Sequence, residues 1–96
     1  MNSKLQSARL DRMFKGILTL TSVEECYDFF EDLCTVPEMK ALSQRFHVAE
    51  LLLDGKVYND IVKETGASTA TISRVNRSLT LGSDGYKNVI DKINGR

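Results

Sequence analysis

The chain has little of what most chemical sites are built from. Its 96 residues include two cysteines, one histidine and one proline, and its acids and bases cancel. Cys26 and Cys34 stand in no metal-ligand or redox spacing, and His47 has no partner in sequence for metal binding or catalysis. This argues against a zinc site; the two cysteines read as small buried apolar groups of a protein in a reducing cytosol. No apolar run reaches membrane-spanning length and no signal peptide is recognisable, so the expectation is a cytoplasmic protein with no membrane partner. There is no nucleophile elbow, Gly-rich phosphate loop or paired-carboxylate site, which argues against an enzyme. The zero net charge speaks against a non-specific binder of polyanions.

What is present is enough for one small helical domain. An apolar fraction of 42% can supply a core, but so short a chain buries a limited share of its surface, which makes a homodimer the natural expectation. Charge is unevenly spread. Residues 1–20 carry Lys4, Arg9, Arg12 and Lys15 against Asp11, whereas residues 21–39 carry Glu24, Glu25, Asp28, Glu31, Asp32 and Glu38 with no base. Residues 55–80 are basic again, with Lys56, Lys63, Arg74 and Arg77 against Asp60 and Glu64. Such a distribution would orient a protein on a duplex.

Periodicity and punctuation are helical throughout, and predict an all-α fold of about six helices with short connections. Leu10, Met13, Phe14, Ile17 and Leu18 recur at helical spacing and predict an amphipathic helix over about residues 4–20. Ser22 with Glu25 is a capping box opening a second helix, whose inner face is Val23, Cys26, Tyr27 and Phe30, widened by Phe29 and Leu33. The adjacent Phe29 and Phe30 suit either a subunit interface or a broad core face. Thr35 with Glu38 is another capping box, and Pro37 is tolerated in a first turn. Met39, Leu42, Phe46, Ala49 and Leu53 then mark a long core helix ended by Gly55, and Tyr86, Val89, Ile90 and Ile93 mark a last one. The organisation expected is dimerisation helices over 1–34, a core helix over 35–55, a two-helix motif over 56–80 and a C-terminal helix over 83–94.

The richest stretch is residues 58–79, YNDIVKETGASTATISRVNRSL. Gly66 can take the positive φ that a sharp helix-to-helix turn needs. Ile61 and Val62 before it, and Ile72, Val75 and Leu79 after it, are spaced for the inner faces of two helices, and Ser68 is a good N-cap for the second. That second helix turns Thr69, Ala70, Ser73, Arg74 and Arg77 outward. Small residues let a helix tip approach base edges, a methyl can pack on thymine, and arginine can read guanine or hold a phosphate. The pattern is that of a helix-turn-helix; on its first helix Lys63 reads equally as a phosphate contact or a plain surface lysine, and Asn59 as a phosphate contact or part of the helix cap.

Over residues 34–93 the chain resembles the Trp repressor superfamily, and within it the small Trp-repressor-related proteins of the YerC/YecD type. The resemblance is carried by Thr35, Ala41-Leu42, Arg45, Glu50-Leu51-Leu52, Gly55, Gly66-Ala67, Ala70-Thr71-Ile72-Ser73-Arg74 and Ser78-Leu79. It implies an intertwined helical homodimer presenting two recognition helices to successive major grooves of a near-palindromic operator, with half-sites roughly 34–36 Å apart. The family's base-facing positions fall on Thr69, Ala70 and Ser73, and its recognition is partly through water. The positions that hold L-tryptophan in the family's founding member fall on Thr35, Arg45, Arg74 and Ser78. The residue after the second arginine is glycine in that protein and Val75 here, and the segment between Gly55 and Gly66 is one residue shorter. L-tryptophan, another small co-repressor, and no effector therefore all stay open. Two functions are compatible with these residues: a sequence-specific DNA-binding regulator acting as a repressor by promoter occlusion, and a helical protein-interaction module without specific DNA binding.

Overall fold

A computed structural model describes residues 6–96 and contains, among them, six helices and no strand: α1 (Ala8–Ile17), α2 (Val23–Leu33), α3 (Val36–Leu53), α4 (Tyr58–Thr65), α5 (Thr69–Leu81) and α6 (Gly85–Ile93). They fall into two compact units, Met1–Met39 and Lys40–Arg96, which divide within α3.

The first unit holds α1, α2 and the start of α3. Ser7 caps α1 by accepting from the Leu10 N–H at 3.1 Å. The helix is shorter than its apolar pattern predicts. Its expected start at residue 4, and Lys4 itself, lie outside the described residues. At the other end the chain tightens into i→i−3 bonds, from Thr19 N–H to Gly16 and from Leu20 N–H to Ile17, and the Thr19 hydroxyl also donates to the Gly16 carbonyl at 2.6 Å. Such bonds take up the carbonyls a helix leaves unpaired at its end. α2 begins at Ser22, whose hydroxyl accepts from Glu25 N–H at 3.1 Å. The reciprocal half of this capping box is displaced by one residue, because the Glu25 carboxylate receives the N–H and hydroxyl of Thr21.

None of the described residues of this unit is buried. Val23 is 73% exposed, Tyr27 66% and Leu18 82%. The Phe29 and Phe30 rings, 5.3 Å apart and edge-on, cover each other only partly. The expectation that both cysteines are buried is thereby corrected: Cys26 is exposed and Cys34 half-buried, since two short helices by themselves are too small a unit to enclose a core.

The capping box at the start of α3 is complete. Thr35 N–H donates to the Glu38 carboxylate at 2.8 Å, and Glu38 N–H donates to the Thr35 hydroxyl at 3.3 Å. These bonds, the backbone one foremost, hold the Glu38 pKa below its ordinary value of 4.5.

The second unit has a true core, made of Val48, Ala49 and Leu51 from α3, Ile61 from α4, Ala67 from the turn, Ile72 and Val75 from α5, and Ile90 from α6. Burying side chains of this size contributes roughly 1.5–3 kcal/mol each for the larger ones. Phe46, Leu52, Tyr58, Val62, Leu79 and Tyr86 pack around it. The buried face of α3 differs from the predicted stripe. Leu42 and Leu53 are exposed, while Val48 and Leu51 are inside. The last turns of α3 read VAELLL and are apolar on several sides, so the packing partners decide which leucine turns inward. Gly55, at φ 83°, ends the segment as expected.

Candidate nucleic-acid interface

The turn between α4 and α5 is built by residues 65–68. Gly66 takes φ 72° and ψ 5°, and its N–H donates back to the Val62 carbonyl at 2.9 Å. Thr65 stitches the corner: its hydroxyl donates to the Ile61 carbonyl at 2.7 Å and accepts from Ala67 N–H at 3.1 Å. Ser68 then caps α5, accepting from Thr71 N–H at 3.1 Å while its hydroxyl donates to that of Thr71 at 3.1 Å. An N-cap of this kind is worth about 1 kcal/mol. One side-chain bond ties the corner to α3, from the Gln44 amide to the Thr65 carbonyl at 3.2 Å.

The two faces of α5 are cleanly separated. Ile72 and Val75 are buried and Leu79 half-buried, while Thr69, Ala70, Ser73, Arg74 and Arg77 are all exposed. The structure thus brings the predicted reading residues to one outward surface, small at the N-terminal tip and cationic further along. The tip also carries the partial positive charge of a helix N-terminus, which favours an anion.

On α4, Asn59 and Lys63 are exposed as expected. Lys56, Asp60, Lys63 and Glu64 line a shallow depression of about 320 Å³, where two acids offset two bases. The free cationic weight of the motif therefore sits on α5.

The four positions of the expected ligand pocket are not equally placed. Arg74 and Ser78, one turn apart, line an open groove of about 260 Å³ with Arg77, Leu81 and Gly82. Arg45 is half-buried on α3 and lines neither this groove nor the larger one beside it. Thr35 belongs to the first unit, where its hydroxyl is engaged in the capping box. The larger groove, about 540 Å³, runs between Phe46, Ser78, Gly82, Tyr86 and Val89, with the Phe46 and Tyr86 rings 6.4 Å apart at 49°.

Two contributors have no reading in the sequence. Gln44 looks like any polar position on the outside of a helix, and only its reach to Thr65 reveals it. Gly82 gives no sign of its steric role in the sequence: a Cβ there would collide with the Ser78 carbonyl oxygen. The neighbouring Asp84 adopts φ 61° and starts α6 with no side-chain cap bond. Away from this surface, His47 is exposed on α3. Among the described residues there is no group of three or more His, Cys, Asp or Glu able to hold a metal ion, and no helix long and apolar enough to cross a membrane.

Comparison with known proteins places this arrangement in context. The family model described as "Trp repressor protein" matches residues 8–94. The "uncharacterized protein YerC" of Bacillus subtilis (strain 168) is 51% identical over 90 residues, spanning 94% of this chain and 86% of that one. Among solved structures, a "putative Trp repressor" from Staphylococcus aureus superimposes with a TM-score of 0.93 at 54% identity, covering 98% of this chain and 95% of the other. A "TrpR like protein" from Eubacterium eligens ATCC 27750 does so with a TM-score of 0.92 at 52% identity, covering 97% and 96%.

Proposed function

The chain belongs to the Trp repressor family, and from that premise we propose that it is a sequence-specific DNA-binding transcriptional regulator, acting as a repressor in the cytoplasm. The observation that carries this reading is the division of α5. Its inner face is sealed into the core by Ile72 and Val75, and its outer face presents Thr69, Ala70, Ser73, Arg74 and Arg77 to solvent. A helix held in this way from behind is a rigid probe for the major groove. Thr69, Ala70 and Ser73 meet base edges, directly or through water, while Arg74 and Arg77 meet guanine or phosphate. Lys63 and Asn59 of α4 contact the backbone.

The working species is a homodimer. The first unit supports this, because its apolar stripes find no buried place within one chain. A second copy supplies the missing layer, and its two-fold axis sets two α5 helices against the half-sites of a near-palindromic operator. Bound there, the dimer occludes a promoter.

Selection of bound duplexes from a random DNA pool tests this reading. Enrichment of a two-fold symmetric site is expected. Absence of any enriched site, together with retained binding to a protein partner, would favour a helical protein-interaction module instead.

A further inference from the structure

We infer that Gln44, a residue of α3 and not of the helix-turn-helix, is a positioning residue for operator recognition. Its bond to the α4–α5 corner supports the sequence-specific part of DNA binding and leaves the charge-driven part untouched. This assignment rests on the DNA-binding reading above and deepens it with a residue that governs specificity.

Among the described residues, side-chain hydrogen bonds stay within four positions of sequence, as at Ser7, Ser22, Thr65 and Ser68. The exception is the Gln44 amide, which reaches the Thr65 carbonyl at 3.2 Å across 21 positions. A main-chain carbonyl can only accept, so the end of Gln44 that meets it is the NH2 group. Both residues are half-buried.

The bond lands close to the part of the protein that reads bases. The same Thr65 bridges the Ile61 carbonyl and the Ala67 N–H through its hydroxyl. Only Gly66, Ala67 and the N-cap Ser68 lie between the anchored carbonyl and Thr69, the first residue of α5. A shift of the corner is therefore passed to the Thr69–Ala70 tip through a short and internally bonded turn.

The apolar cluster of α3, α4 and α5 holds these helices together, but apolar burial is non-directional. A hydrogen bond weakens steeply with distance and angle, so the Gln44 bond favours those arrangements in which the corner stands at one place along α3. Any other placement the corner samples forgoes the bond. The bond biases that equilibrium by no more than its own net worth, roughly threefold to tenfold in population. Hydrogen bonds to base edges are as demanding of geometry as this one. Attraction between arginine and phosphate follows charge and tolerates small displacements. Loss of the bond should thus be felt in specific recognition and not in general affinity for DNA.

The test compares the full chain with its Gln44→Met variant, on duplexes that the parent protein selects from a random pool and on random duplex. Both are measured well below each protein's unfolding midpoint, so that unfolded chain does not enter. Methionine keeps the length and flexibility of the side chain and lacks the donor. Affinity for the selected site should fall by about threefold to tenfold. Affinity for random duplex, and the slope of log affinity against log salt, should match the parent. A ratio of specific to random affinity that does not change, with only the unfolding midpoint lowered, would make Gln44 a stabilising residue alone and overturns the assignment. An equal fall on both duplexes overturns it too, since it would make Gln44 a backbone contact. If circular dichroism shows the methionine variant unfolded, Gln44→Glu stands in. It keeps the size and polarity of the side chain but sets a carboxylate oxygen against the Thr65 carbonyl, so the same ratio should fall at least as far. If the parent enriches no duplex at all, the DNA-binding reading falls and the role of Gln44 falls with it.

Discussion

The side-chain amide of Gln44 donates to the main-chain carbonyl of Thr65 at 3.2 Å, across 21 positions of sequence. Thr65 is the last residue of α4, so its carbonyl has no partner within that helix. The bond therefore satisfies an orphan group and fastens the corner of the helix-turn-helix to α3 at once. Gln44→Ala is expected to lower stability by about 1 kcal/mol and to speed amide exchange at residues 66–68, measured by hydrogen exchange. Unaltered exchange there would show that the corner holds without Gln44.

Arg74 and Arg77 carry the cationic part of the reading face. Replacing both with Ala should weaken operator binding and reduce the slope of log affinity against log salt by about one for each phosphate no longer neutralised. Titrations at several salt concentrations measure it. An unchanged slope and affinity would mean that α5 does not face the duplex.

Gly82 should not tolerate a side chain. Alanine there brings a Cβ against the Ser78 carbonyl oxygen, a backbone atom that cannot swing away. Gly82→Ala is expected to cost on the order of 1–3 kcal/mol as strain, read as a lowered unfolding midpoint, with the α5–α6 joint the first part to loosen.

The first unit predicts a concentration-dependent fold. Because its apolar stripes are exposed in one chain, the thermal midpoint should rise with protein concentration, as linkage to association requires. A midpoint constant over a hundredfold dilution would rule out a dimer coupled to folding.

Glu38 gives a pH signature. Its folded pKa is depressed below 4.5 by the Thr35 bonds. The charged capping box therefore stabilises the start of α3 above that value, and the contribution is lost as pH falls through the lower folded pKa. Glu38→Gln, which keeps the hydrogen-bonding shape without the charge, should differ from the parent at neutral pH. The difference should shrink as pH drops below 4.5, followed by circular dichroism across pH 3–7.

Much of this protein was legible residue by residue because it is governed by local physics. Ser68 caps its helix, Gly66 turns the corner in the left-handed region, Thr35 and Glu38 close a reciprocal box, and Ile72 and Val75 face inward because three residues are close to one turn. These rules act within four or five positions, so sequence alone determined six helices and the composition of the outward face of α5. Tertiary structure decided what local periodicity leaves degenerate. In α3, apolar residues surround the last turns, and only the arrival of α4 and α5 selected Val48 and Leu51 over Leu42 and Leu53 for the interior. Gln44 became a tie only when Thr65 came within its reach, and Gly82 became a steric necessity only when its chain folded against the Ser78 carbonyl. The exposure of Cys26 has the same origin: a stripe is apolar by sequence, but it is buried only if another layer lies across it.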